Sequence, residues 1–254
     1  MTTVTAPAVA TGRVPRPLVT FTAVALPTGW VLLSVPLLVD VPVEPFVLGT
    51  LLLGLVLPAL VLTRRDPGAS VRRLLADTVR PPYPWWLLLP AALLLPATTA
   101  GVAALLGGAS APTGALLTGF LSSLLVVNLW EEMAWAGFVQ RRAAARWGPV
   151  RGAVAVALLF TGIHLPLALY DAGGVGDVAR NVAVMIVSGV GLRLLIGAFD
   201  VWGRGSILAL AVVHATFNAT ADLLTPDAAW VRYAVTLAAG VTAAVLLTRR
   251  GVRR

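Results

Sequence analysis

The sequence predicts an all-α polytopic membrane protein, about eight transmembrane helices bundled around an intramembrane polar cavity. Three observations lead there. The 254 residues are 58% hydrophobic and 12% charged, with a mean hydropathy of +0.89, whereas a soluble domain carries about 25% charged residues. Apolar runs recur along the chain, each near the ~20 residues needed to cross the hydrocarbon core. The basic residues, all nineteen of them arginine, fall mainly in the connections between those runs.

In order, residues 1–17 read as a polar, disordered cytoplasmic tail, and 18–248 as one transmembrane domain. The first span covers about 18–39 and the second 46–63. Between them and the third, a basic segment spaces Val71, Leu74, Leu75 and Val79 as an amphipathic helix that lies on the membrane surface. The third span covers 85–106 and the fourth 113–139. Arg141, Arg142, Arg146 and Arg151 fill the next connection, broken at Gly148-Pro149. The fifth span covers 152–170, with Pro166 placed to bend it. After the loop 171–177, where Asp177 is a helix N-cap candidate, come spans at 178–198, 206–224 and 229–248, then a basic cytoplasmic tail, 249–254. Trp85, Trp86, Trp147, Trp202 and Trp230 sit at predicted interfaces as belt anchors.

With eight spans the connections alternate sides. Sixteen arginines then share one side with both termini, and the other side receives Arg180 and Arg232. The positive-inside rule makes the rich side cytoplasmic. The excess of arginine over the eleven acidic residues therefore orients spans in the cell membrane, with lipid as the surroundings. No aromatic–basic module for nucleic acid is present. Cysteine is absent, so no disulfide or thiolate metal site exists.

Few ionisable side chains lie inside the spans: Glu131, Glu132, His164, Arg193, His214 and Asp222. A charge at the bilayer centre costs ~2.5–3.5 kcal/mol on insertion scales, and such groups mark functional sites by default. Two adjacent carboxylates also oppose each other's ionisation. Glu131 and Glu132 point about 100° apart, so one faces a cavity and the other a neighbouring helix. Glu131 and His214 each lie about nine residues from the cytoplasmic end of their helix, roughly 13 Å deep, and His164 somewhat deeper. One shared level is thus expected. His214 and Asn218 are four apart and share a helix face, as do Phe160 and His164. The plainer readings are interhelical hydrogen bonding for the histidines, Asn218 and the Glu pair. Asp222 reads as a solvated or capping residue and Arg193 as a residue snorkelling to the cytoplasmic interface. Trp130 and Trp135 flank the Glu pair, to shape its pocket or face lipid.

Taken in order on separate spans, Glu131-Glu132, Phe160-x-x-x-His164 and His214-x-x-x-Asn218 resemble the CAAX-protease and bacteriocin-processing family of intramembrane proteases. The family pattern is Glu-Glu-x-x-x-Arg, Phe-x-x-x-His and His-x-x-x-Asn, and the resemblance covers roughly residues 85–225. It implies an intramembrane endopeptidase acting on a peptide or protein substrate near the membrane, with Glu131, Glu132, His164, His214 and Asn218 catalytic. Glu131 and His164 would activate water, His214 and Asn218 would stabilise the oxyanion, and Glu132 would support the site. Glu131, His164 and His214 are also candidate ligands for a Zn2+ ion, and a metal-free glutamate mechanism is equally open. An Arg-for-Lys, Ala-rich composition of bacterial character favours peptide processing or immunity over prenyl-tail cleavage. The pattern's arginine falls where this chain has Ala136. Arg141 is off that face, and Arg193 reaches the site only if the sixth span packs suitably. A scaffold for immunity or partner binding is therefore one alternative, and a proton-coupled transporter built on the Glu and His groups is another.

Overall fold

The computed structural model describes residues 14–39, 41–111, 114–170 and 172–252, and the side chains of all of these except 115 and 250–252. The N-terminal residues 1–13, Asp171 in the 171–177 loop, and Arg253 and Arg254 of the basic tail lie outside them.

We number the helices α1 Arg16–Leu38, α2 Glu44–Arg65, α3 Val71–Val79, α4 Trp85–Leu105, α5 Leu116–Trp147, α6 Pro149–Ile163, α7 Val175–Trp202, α8 Ile207–Ala219 and α9 Trp230–Val252. Six are long and apolar enough to cross a membrane: α1, α2, α4, α5, α7 and the segment Pro226–Arg249 that holds most of α9. The two short helices, α6 and α8, run 15 and 13 residues, about 23 and 20 Å. Each is lengthened by a 3-10 turn, Leu165–Leu169 after α6 and Thr220–Leu223 after α8. The eight expected spans are thus six long helices and two short ones, and the short pair carries both histidines.

Several boundaries differ from expectation for identifiable reasons. Helix α1 starts at Arg16, two residues inside the expected tail, with Pro17 in its first turn, where its missing N–H costs nothing. Helix α5 does not stop at 139 but continues to Trp147, because Arg141 and Arg142 find carboxylates on neighbouring segments instead of water. Arg141 bonds Asp200 at 2.9 Å and Asp77 at 3.2 Å, and Arg142 bonds Asp66 at 2.6 Å. Helix α9 runs on to Val252. Asp177 is not an N-cap: Gly174 takes that position, and Asp177 in the first turn accepts the Gly173 N–H at 3.0 Å. Pro166 ends α6 rather than bending it. The α-helix closes at Ile163 and a tighter turn follows.

The amphipathic α3 forms as expected, capped by Ser70, whose Oγ accepts the Arg73 N–H. It buries Leu74 and Thr78 and leaves Leu75 and Val79 exposed. Leu74 packs with Met133 and Ile207, so α3 docks on α5 and α8. Helix α8 is buried almost all round from Ile207 to Thr216, the mark of a central helix. Around it, one apolar cluster joins α4, α5, α7 and α8, and another joins α1, α2, α5 and α6. Helix α5 belongs to both. Glycine brings α7 and α9 together: a Cβ on Gly191 would lie 2.6 Å from Leu237 Cα, an approach only small residues permit.

A candidate hydrolytic site inside the bundle

The site is built on α5. Its ladder widens to π-helical turns at Ser123–Asn128 and again at Met133–Gln140, leaving one α-helical turn, Leu129–Glu132, between them. Such π turns often mark functional positions. Glu131 and Glu132 sit on that turn, both buried, and the 100° between them sends them to different neighbours.

Glu132 faces α7 and α8. Arg193 from the middle of α7 grips it with both terminal nitrogens, Nη1 donating to Oε2 at 2.8 Å and Nη2 to Oε1. His214 Nδ1 donates to Oε1 at 2.6 Å. The guanidinium and carboxylate are both wholly inaccessible. A buried pair persists when its geometry is good and further hydrogen bonds support it; here the grip is bidentate and His214 adds a bond to the carboxylate, while Arg193 Nε is left without a partner. Gln140 Nε2 donates to the Arg193 carbonyl at 2.9 Å, and the guanidinium lies 4.7 Å over the Phe160 ring. The snorkelling reading of Arg193 is therefore wrong: a partner inside the bundle competes better than the distant interface. Ala136, one turn beyond Glu132, is packed in the core, and Arg193 brings the guanidinium from another helix.

Glu131 faces the other way. Its Oε1 is 3.9 Å from His164 Nε2 and its Oε2 is 3.8 Å from His214 Nδ1. Both separations are too long for a direct hydrogen bond and short enough for one bridging water. His164 closes α6. Its backbone N–H turns back to Thr161 O, leaving Phe160 O to accept the ring Nδ1–H at 2.6 Å. A carbonyl can only accept, so Nδ1 carries a proton and Nε2 is the ring nitrogen turned towards Glu131. Phe160 is the hub of the site. It stacks 4.6 Å from the His164 ring and 5.8 Å from the His214 ring, and meets Trp135 at 5.7 Å. Trp135 is buried against Phe21, whereas Trp130 is 37% exposed.

A cavity of about 60 Å³ opens beside Glu131 and His164, walled by Leu33, Val47, Thr50 and Ile163, with room for a few water molecules. The Thr50 hydroxyl is buried and makes no hydrogen bond. Hydroxyls elsewhere in this chain, such as Thr78 and Thr236, bond back to the carbonyl four residues before. Leu33, Thr50 and Ile163 lie towards the arginine-poor ends of α1, α2 and α6. The depth expected for Glu131 is corrected accordingly: it stands near mid-length in α5, roughly 24 Å from the Trp147 end.

Asn218 does not join this constellation. Its amide donates to Asn128 Oδ1 at 3.3 Å and Ser123 Oγ at 3.4 Å, a separate polar knot with α5. Asp222 is exposed in its 3-10 turn, as expected. Among the described residues no group of three His, Asp or Glu side chains is disposed to hold a metal ion. The Glu131, His164 and His214 set fits one poorly, because the His214 nitrogen that faces Glu131 is already taken by Glu132. Sequence reasoning missed Thr50; for Arg193 it favoured snorkelling and allowed the site only if the sixth span packed suitably, as it does. Only one signal was available for the latter: a lone arginine and a carboxylate pair, both stranded in apolar spans.

Residues 113–220 match a family model described as type II CAAX prenyl endopeptidase Rce1-like. A search of the curated proteins finds no match. The matched stretch runs through α5 to α8 and holds every site residue above except Thr50. Over that stretch the chain is similar to this family, in line with the resemblance of its motifs.

Proposed function

We propose that this chain, whose residues 113–220 match the Rce1-like CAAX endopeptidase family, is an intramembrane endopeptidase that cleaves a membrane-proximal peptide with a water activated by Glu131 and His164. The observation that carries the reading is the pair of acceptors facing each other across 3.9 Å beside a water-sized cavity. A water there donates one hydrogen to Glu131 and one to His164 Nε2, and Thr50 supplies a third polar contact. Its oxygen then points a lone pair at an incoming carbonyl. Attack forms the C–O bond as the water's proton passes to Glu131. The tetrahedral intermediate collapses with cleavage of the C–N bond, and Glu131 returns that proton to the leaving amine, a general acid–base cycle worth about 10²–10⁴ in rate. With Nδ1 committed to Glu132, His214 can donate to an oxyanion only from Nε2, and only in its doubly protonated form. Asn218, held by Asn128 and Ser123, takes no part in this course.

Both termini and the arginine-rich face are assigned to the cytoplasm. Arg193 beside Glu132 supports the enzyme over the impaired scaffold, since the guanidinium missing at Ala136 is supplied. The test uses purified protein in detergent with peptide panels, prenylated and unprenylated at a C-terminal cysteine motif. Cleavage is expected, with losses of about 10² or more in Glu131→Gln and His164→Ala. Variants that fold and cleave at the native rate would sink the proposal. A zinc course would need Glu131, His164 and His214 to hold the ion, a set that fits it poorly while Glu132 occupies His214 Nδ1. Loss of cleavage on chelation, restored by zinc, would overturn the metal-free course.

A further inference from the structure

The arginine-rich end of the bundle holds a second concavity, unconnected with the hydrolytic cavity. It is an open pocket of about 400 Å³ between α3, α5 and the turn joining α7 to α8, and Arg73, Arg80, Arg141, Arg142 and Arg204 line it against a single acid, Asp77. Asp66 and Asp200 stand behind Arg142 and Arg141, so the lining stays net positive after every ion pair is counted. Gly137 supplies part of the floor without a side chain, and the buried Thr63 hydroxyl in its wall makes no hydrogen bond. The guanidinium of Arg73 has no partner among the described residues. Arg204 is the only described non-glycine residue with positive φ, at +52°, between Gly203 and Gly205. Glycine would take that conformation at no cost, yet an arginine stands there, its guanidinium over the Tyr83 ring at 4.7 Å.

The adjoining surface differs in character. A groove of about 480 Å³ is lined by Leu60, Val61 and Val71, with Arg64 at its edge, and shares Ala69 with the arginine pocket. Close by, the exposed Val79, Tyr83, Trp85 and Trp86 form the kind of belt that sits at headgroup level. A basic pocket, an apolar groove that meets it at Ala69, and an aromatic ring under Arg204 match a single amphiphile.

We propose that this pocket binds the phosphate headgroup of an anionic glycerophospholipid, with an acyl chain laid in the Leu60–Val61–Val71 groove. Guanidinium forks suit phosphate oxygens, and basic pockets on the cytoplasmic side are recognised settings for anionic headgroups. The Thr63 hydroxyl and the Arg73 guanidinium gain the partners they lack. The proposal stands whether or not the chain cleaves peptides, since none of these residues touches Glu131 or the histidines.

The test follows the thermal unfolding of the full chain in detergent by tryptophan fluorescence, with added phosphatidylglycerol, phosphatidylcholine of the same chains, or inorganic phosphate. Phosphatidylglycerol is expected to raise the midpoint by several degrees, and the other two to leave it unchanged. The Arg73→Gln/Arg204→Gly variant, which relieves the left-handed position, should keep the midpoint of native protein in plain detergent and lose the shift. If it unfolds early, Arg73→Gln alone, at an exposed position, takes its place. An equal rise with phosphatidylcholine overturns the headgroup assignment, an equal rise with inorganic phosphate overturns the lipid, and a variant that keeps the shift overturns the location.

Discussion

Arg193 carries a charge that the family pattern places on another helix. In Glu-Glu-x-x-x-Arg the guanidinium would stand one turn beyond Glu132, at the position of Ala136. Here it comes from α7 and holds the same carboxylate bidentately while His214 completes Oε1. Removing one member of a buried, hydrogen-bonded ion pair costs about 3–5 kcal/mol. Arg193→Met is therefore expected to lower the unfolding temperature of the detergent-solubilised protein substantially, and to loosen His214. If Arg193 replaces the arginine of the pattern, the double variant Arg193→Met/Ala136→Arg should unfold later than Arg193→Met alone and regain part of any cleavage. Ala136→Arg alone should destabilise, because position 136 is 2% exposed in a packed core and overpacking costs about 1–3 kcal/mol. A double variant no better than the single one would show that the guanidinium is needed on α7 specifically, and that the two positions are not interchangeable.

At the scale of elements, the broken end of α6 sets the tautomer of His164. Proline at 166 has no N–H to give and disfavours helix at the residue before it, so the helix yields to a 3-10 turn. Three of the carbonyls released there are used: Thr161 O by the His164 N–H, Phe160 O by its Nδ1–H, and Gly162 O by Trp30 Nε1 at 2.7 Å. Pro166→Ala lets the α-helix continue, draws the backbone towards the ordinary ladder and takes Phe160 O from the ring. A fall in cleavage of about tenfold or more is expected, given that small misplacements near a reacting centre can cost 10², with helix content by circular dichroism unchanged. Full activity in this variant would mean that the ring's orientation is set elsewhere. The same helix shows what hydropathy can and cannot reveal. The spans and α3 were legible because the length and spacing of apolar residues alone define them. The break after Ile163, the π turns on either side of Glu131-Glu132 and the run of α5 to Trp147 were not, because they depend on hydrogen-bond ladders and on carboxylates such as Asp200, distant in sequence. Glu131, Glu132, His164 and His214 could be singled out because ionisable groups are rare in apolar spans. Thr50 could not, since nothing distinguishes one intramembrane threonine from another until its hydroxyl is seen without a partner.

Across the whole molecule, the two ends of the bundle differ in charge and in construction, and the hydrolytic cavity belongs to one of them. The arginine-rich end is tied together by Arg141 to Asp77 and Asp200, Arg142 to Asp66, and Arg80 to the Arg204 and Gly205 carbonyls. The cavity beside Glu131 is walled by Leu33 near the far end of α1, Thr50 near the start of α2, and Ile163 at the close of α6, in the half of the bundle away from those arginines. If the arginine-rich face is cytoplasmic, as the positive-inside rule favours, the water of the proposed mechanism would sit in the outer half of the membrane, and substrate would have the shorter path from that side. The absence of native cysteine makes a direct test clean. Ala69 lies exposed in the α2–α3 connection and Asp227 exposed in the turn before α9, on opposite faces. In intact cells a membrane-impermeant maleimide should label Asp227→Cys, and should label Ala69→Cys only after the membrane is opened. Reversed labelling would invert the assignment. The arginine pocket would then face outward, and the cavity would open towards the cytoplasm, where a newly made protein presents its C-terminus.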